Sequence, residues 1–321
     1  MNIVASFFAG VGGIDLAFEQ AGYKIVYANE IDKLAAKTYE FNFNLKVDIR
    51  DIQSINPKEL PDFNVLVAGF PCQAFSIAGY RQGFNDEKGR GNLFFNILNI
   101  LKIKKPEIVF LENVKNLVAH DKGNTFKVIR EELEKIGYKI KYEVLNSMEY
   151  GNIPQNRERI YIVGFLNTTE YNNFNFPSKI ELTTRIQDII DYHCDVNQKY
   201  YYTKTSCGFY DKLEYNINRH DTVYQWRRVY VRENQNNVCP TLTANMGMGG
   251  HNVPLIYTNN KQYRKLTPQE CFRLQGFPKE YILPKDTADS HLYKQAGNSI
   301  VVPVVKRIAE NIIQAQNKSN A

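Results

Sequence analysis

The chain has 321 residues, enough for two domains, with 43% hydrophobic and 23% charged residues, an ordinary globular balance. A net charge of +6, from 40 basic and 34 acidic residues, is compatible with a polyanionic partner without requiring one. Five cysteines (Cys72, Cys194, Cys207, Cys239, Cys271) form no C-x-x-C pair, which argues against a metal site or disulfide framework and for a reducing, cytoplasmic setting. The longest apolar runs are strand-length, far below the roughly 20 residues of a membrane span. Met1 leads almost directly into Ile3-Val4-Ala5 with no basic n-region or cleavage site, so no signal peptide is expected.

The first half alternates strand and helix patterns. Ile3 to Phe8 is a continuous apolar run, as in a strand buried on both faces. Gly12 to Ala21 carries helical spacing and stops at Gly22. Further strands are predicted at Lys24–Ala28, Asn64–Ala68 and Ile108–Leu111, with another ending near Asp48, and helices at Lys33–Phe41, Asn92–Lys102 and Asn124–Ile136. This rhythm predicts a mostly parallel sheet covered on both faces. Lys139–Asn146 and Arg159–Phe165 follow too closely for a normal helix between them, which suggests an antiparallel pair at one sheet edge. From Leu166 to Gln262 the chain turns rich in Asn and Tyr and loses helical periodicity, the texture of a separate strand-and-loop domain. Helical patterns return at Thr267–Leu274 and Val302–Ala315, the last expected to pack on the first domain.

Chemistry gathers at the strand ends. Phe8-Ala9-Gly10-Val11-Gly12-Gly13 lies between the first strand and the first helix, where glycines let backbone N–H groups approach a ligand. Glu30 ends the second strand, placed to hold ribose hydroxyls, and Asp48 is placed to accept from an adenine amino group. The strict G-x-G-x-x-G spacing of dinucleotide sites is absent, which suits an adenosyl ligand without a pyrophosphate. Cys72, in Pro71-Cys72-Gln73, follows the apolar run Val65–Phe70. A lone cysteine there is either a loop nucleophile or a structural core residue. Glu112 ends a neighbouring parallel strand and faces the same crevice, where a carboxyl can protonate or hydrogen-bond a ring nitrogen. Gln155-Asn156-Arg157-Glu158-Arg159 reads as a solvated basic face or as arginines reaching that crevice.

Six ordered blocks turn these pieces into a resemblance: Phe8–Gly13, Gly69–Ser76 (G-F-P-C-Q-A-F-S), Glu112–Val114, Gln155–Arg159, Arg264–Pro278 and Gln295–Val302 (Q-A-G-N-S-I-V-V). Over almost its whole length the chain resembles the C5-cytosine DNA methyltransferases, particularly the compact enzymes of bacterial restriction–modification systems. The resemblance implies a Rossmann-like S-adenosylmethionine-dependent methyltransferase fold with a mostly parallel sheet, plus a small strand-and-loop target-recognition domain. It divides the chain into a catalytic and cofactor-binding domain (1–178), a target-recognition domain (179–262), a hinge (263–290) and a C-terminal segment rejoining the catalytic domain (291–321).

The resemblance also implies roles. Cys72 adds to C6 of a flipped cytosine, Glu112 assists at N3, Arg159 positions the ring through its carbonyl, and Gln73 closes over the base. S-adenosylmethionine is held by Phe8, Gly10, Val11, Gly13, Glu30, Ile31, Asp48, Ile49 and Pro71, with Asn298 and Ser299 closing the pocket. Ser76, Arg81 and Arg90 meet DNA from a glycine-rich lid. Arg227, Arg228, Thr243 and Asn245 belong to the recognition segment, whose texture is similar to enzymes reading short palindromes with outer GG and CC. The implied partner is duplex DNA, met by a monomer without a membrane, beside a cognate restriction endonuclease acting independently. Ile31 stands where several relatives carry tryptophan, and Ala78 replaces a serine near DNA in some relatives. A tRNA cytosine-5 methyltransferase on the same scaffold is the rival reading; the TLTANMGMGG run after residue 166 favours DNA. A non-catalytic DNA-binding relative would be expected to lack Cys72 or Glu112, and a nicotinamide enzyme with a catalytic cysteine would carry the dinucleotide spacing.

Replacing the sulfur tests the nucleophile directly. Cys72→Ser is expected to abolish turnover, and DNA carrying 5-fluorocytosine to trap a covalent adduct with the unaltered chain only, read by denaturing gel and mass spectrometry.

Overall fold

The computed structural model describes residues 2–71, 93–193, 195–247 and 253–320. They divide into one unit built from 1–145, 158–178 and 304–321, and a second from 146–157 and 179–303.

The first unit is a six-stranded sheet. Its strands are β1 (Ile3–Phe7), β2 (Lys24–Asn29), β3 (Val65–Ala68), β4 (Ile108–Val114), β5 (Lys139–Asn146) and β6 (Glu158–Phe165), in the order β2-β1-β3-β4-β6-β5. β2, β1, β3 and β4 are mutually parallel, whereas β6 runs antiparallel to β4. The parallel strands are returned by α1 (Gly13–Gln20), α2 (Lys33–Glu40) and α3 (Leu93–Lys104), and α4 (Asn124–Lys135) follows β4. Every residue of β3 is fully buried, which is why Val65-Leu66-Val67-Ala68 shows no polar alternation. β5 and β6 occupy the far edge, where the sequence leaves no room for a crossover helix.

The second unit holds a four-stranded antiparallel sheet, β10-β9-β7-β8, formed by β7 (Tyr224–Trp226), β8 (Val231–Glu233), β9 (Leu255–Tyr257) and β10 (Tyr263–Lys265). α5 (Tyr210–Asn216) packs Leu213 into a small core with Tyr224, Leu255 and Tyr263. Arg264 is wholly buried and pairs through both terminal nitrogens with Glu270 at 2.8 Å. Glu270 also closes the capping box that Thr267 opens at α6 (Pro268–Arg273). α7 (Asp289–Asn298) follows. α8 (Val302–Asn320) is placed in the first unit from Val304 onward, where the carbonyl of Ala309 accepts from Tyr23 Oη at 3.2 Å and Gln316 from the Asn2 amide at 2.7 Å.

Some elements depart from the sequence reading. The strand expected to end near Asp48 is a single parallel bridge, Asn29 to Asp48, with Val47 buried and Ile49 left exposed. Helices α5 and α7 were not expected, since the apolar residues that α7 buries are few, Leu292, Tyr293 and Ala296.

Asp15, in the first turn of α1, is fully buried beneath the loop that follows β1. It accepts from Ser6 Oγ at 2.8 Å and from Tyr39 Oη at 2.9 Å, so one carboxylate ties β1, α1 and α2 together. Burial raises its pKa from 3.8 to about 6 despite both bonds. The folded chain therefore keeps this proton over a range where the unfolded chain has lost it. The stability contributed by the group falls as pH rises from about 4 to about 6 and is level above that. Asp15→Asn is expected to lack this slope, gaining roughly 3 kcal/mol relative to the unaltered chain between pH 4 and pH 6.5 in urea unfolding.

Candidate functional site

Four parallel strands end on one edge of the first unit, and the loops leaving them carry the residues of interest. After β1 the chain turns sharply: Phe8, Gly10 and Gly12 all take left-handed backbone angles, at φ of 54°, 57° and 79°. Phe8 is a bulky residue in that region, an arrangement that costs energy and concentrates at functional loops. At Gly12 a Cβ would lie 2.3 Å from the Phe43 ring and 2.9 Å from Tyr39, so only glycine lets the turn seat against α2. Gly13 then starts α1, which points its N-terminus at the same edge. Val11 and Gly13 are buried, whereas Phe8 and Gly10 are half-buried.

Glu30, just past β2, fastens this loop. It accepts from the Gly10 N–H at 2.9 Å and from the Asp32 N–H at 2.8 Å, one bond on each carboxylate oxygen. Its own N–H donates to the Asp48 carbonyl at 3.1 Å. Asp48 accepts from Tyr27 Oη at 2.8 Å and from Arg50 Nη2 at 2.7 Å, and its hydrogen bonds with Arg50 hold its pKa down at about 2. One residue beyond each of these acids, Ile31 and Ile49 are 58% and 45% exposed. Exposed aliphatic side chains following fixed carboxylates have the chemistry to meet the face of a purine and the hydroxyls of a sugar.

Further along the edge, β3 runs out through Gly69, Phe70 and Pro71, the last residue described before 93. The Asn113 amide donates to the Phe70 carbonyl at 2.7 Å, and a Cβ on Gly69 would lie 3.5 Å from Glu112 Oε2. The sequence reading includes Asn113 in the block Glu112–Val114 without giving it a role, because its partner is a main-chain carbonyl. Glu112 is buried to 8% exposure, and Arg159 Nε lies 3.2 Å from its Oε1. Arg159 comes from β6, where it stands opposite Val114, two residues along from Glu112 on the same face. The site thus holds a desolvated carboxyl, its guanidinium partner and the chain segment leading to Cys72. Cys72, Gln73, Ser76, Arg81 and Arg90 themselves fall outside the described residues.

The remaining expected residues lie in the second unit. Arg227 and Arg228 occupy the exposed turn of the β7–β8 hairpin, with Arg228 at φ 64°. The hairpin is braced by Lys212, which donates to the Val229 carbonyl at 3.0 Å and lies over the Trp226 ring, itself stacked on Phe209 at 4.1 Å. Thr243 and Asn245 are exposed and hydrogen-bonded to each other at 2.6 Å. Asn298 is exposed at the end of α7, and the Ser299 hydroxyl is buried without a hydrogen-bond partner among the described residues. Arg157, read as a surface or crevice arginine, is instead 2% exposed inside this unit and hydrogen-bonds to backbone carbonyls there.

A family model described as C-5 cytosine-specific DNA methylase matches residues 3–314. The chain belongs to that family. As a C-5 cytosine DNA methylase it is 60% identical, over 313 residues, to the type II methyltransferase M.Bsp6I of Bacillus sp. (strain RFL6), covering 97% of this chain and 98% of the relative. It is 41% identical to the type II methyltransferase M.HhaI of Haemophilus parahaemolyticus over 318 residues, 97% of this chain and 94% of that one. The methylase also shares its fold with the Dnmt2 methyltransferase of S. pombe, at a TM-score of 0.75, 22% identity, and coverage of 99% and 100% of the two chains.

The loop after β1 gives a direct stability test. Gly12→Ala combines a left-handed backbone angle with a 2.3 Å approach to Phe43. It is expected to cost roughly 2–4 kcal/mol in urea unfolding.

Proposed function

We propose that this methylase adds a methyl group to C5 of a cytosine flipped out of duplex DNA at a short specific site. The reading is carried by the Glu112–Arg159 pair, set where β3 leads toward Cys72. Cytosine C5 is a poor nucleophile until the ring is activated. The Cys72 thiolate forms a bond to C6, and the displaced π electrons make C5 electron-rich. Glu112 holds a proton at N3 as charge gathers there, a task for a carboxyl shielded from water. Arg159 donates to the ring carbonyl and, through its ion pair, keeps the Glu112 carboxyl aimed. Once C5 has taken the methyl group, with the donor's sulfonium departing as a neutral thioether, loss of the C5 proton to a base expels the Cys72 thiolate. The N3 proton returns to Glu112, so aromaticity is restored.

The methyl donor we infer is S-adenosylmethionine, which when bound supplies an electrophilic methyl on a sulfonium. Ile31 and Ile49 fit its adenine faces, Glu30 the ribose, and the Phe8–Gly13 turn, with Gly10, Val11 and Gly13, the remainder. The family resemblance adds Asp48, Pro71, Asn298 and Ser299 to the residues that hold it. It also gives Gln73 to the flipped base and Ser76, Arg81 and Arg90 to the DNA. Arg227, Arg228, Thr243 and Asn245 read base edges. The enzyme acts as a monomer, in the cytoplasm, and shields its sites from a cognate restriction endonuclease.

Labelled S-adenosylmethionine offered with duplex DNA, with tRNA or with neither tests the assignment. The expected product is 5-methylcytosine in DNA at one short sequence; label in tRNA and none in DNA overturns it. Glu112→Gln is expected to lower turnover by about 10²–10⁴-fold while leaving S-adenosylhomocysteine binding, followed by calorimetry, close to that of the unaltered chain.

A further inference from the structure

We infer that Arg157 is a positioning residue that sets how faithfully the enzyme chooses its site. It clamps the recognition segment 241–245 to the segment 298–299. The inference rests on the functional reading above for Thr243, Asn245, Asn298 and Ser299, and on contacts within the second unit. The guanidinium is 2% exposed, and a charge so buried persists only where acceptors surround it. Arg157 Nη1 donates to the Leu242 carbonyl at 2.8 Å, and Nη2 donates to the carbonyls of Gly297, at 3.0 Å, and Ser299. One side chain therefore holds the residue preceding Thr243 and the two residues flanking Asn298.

Two further features make the grip rigid. Leu242 is held at both ends of its backbone, because its N–H donates to Gln155 Oε1 at 3.0 Å while its carbonyl takes Arg157. Gln155 is fixed in turn by donating to the Leu274 carbonyl at 2.7 Å. The recognition segment also lies directly on α7: a Cβ at Gly297 would fall 2.2 Å from the Thr243 carbonyl carbon and 2.6 Å from the Ala244 nitrogen. Thr243 and Asn245 thus project from a backbone that has little freedom to shift. Hydrogen-bond readout of a base edge needs that fixity, since the wrong base is rejected only if the side chain cannot follow it. The acceptors named are main-chain carbonyls, so their geometry depends on Arg157 itself and on the lack of a side chain at Gly297.

The test compares the unaltered full chain with Arg157→Lys, Arg157→Met and Gly297→Ala. Each is given S-adenosylmethionine and plasmid DNA of mixed sequence, and methylation is mapped by bisulfite sequencing. The readout is methylation at the principal site relative to sites differing by one base. S-adenosylhomocysteine affinity without DNA is measured alongside. Lysine keeps the charge but lacks the fork that reaches several carbonyls. We expect it to lower the site ratio about tenfold and to weaken S-adenosylhomocysteine several-fold. Gly297→Ala, which presses on the same contact from the other side, should move the ratio in the same direction and decides the matter if the Arg157 variants fold poorly. An equal loss at every site, with the ratio unchanged, means a smaller active fraction and overturns the inference. An unaltered chain that leaves no 5-methylcytosine on the plasmid refutes the functional reading instead.

Discussion

Parallel strands can be joined only by crossovers, and that constraint organises the catalytic edge. Because β2, β1, β3 and β4 all run the same way, their exits open side by side. The chain segments 8–13, 30–31, 69–71 and 112–113 are far apart in sequence yet share one rim. The apolar strands supply position, and residues at or just beyond their C-terminal ends supply chemistry. Hydrogen bonds then convert proximity into fixed geometry. Glu30 fastens the loop after β1, Asn113 fastens the exit of β3, and Asp15 fastens the floor beneath both β1 and α2.

The block Gln155–Arg159 shows how short a stretch can serve two ends. Gln155 and Arg157 are buried in the second unit, where they grip main-chain carbonyls and one N–H. Arg159, two residues later, begins the antiparallel strand of the first unit and meets Glu112. The two arginines have the same formal chemistry and different work, and their partners make the difference.

Much of this was legible before any coordinates. The boundaries of β1, β2, β3 and β5 follow from uninterrupted or alternating apolar runs, and Glu30 and Glu112 stand out as acids ending such runs. What escaped has a common cause. Arg157 and Asn113 act on backbone carbonyls, which every residue possesses, so no partner residue type marks them in the sequence. The pairing at Asp48 shrank to one bridge, with Val47 buried on one side of it and Ile49 exposed on the other. Helices α5 and α7 are short and bury few apolar residues, too little periodicity to separate from loop.

The Arg159–Glu112 pair has a consequence for how the chain assembles. β6 pairs with β4 across about fifty residues of intervening chain, over the seven matched positions from Ile108↔Phe165 to Val114↔Arg159. Both strands are apolar nearly throughout, so hydrophobic matching alone distinguishes adjacent alignments weakly. A slip of one residue would turn Arg159 to the other face of the sheet and strand Glu112 in a dry interior without its cation. The ion pair thus penalises misaligned sheets during folding, and the residues that read as catalytic also certify that the last antiparallel strand has docked in the right place.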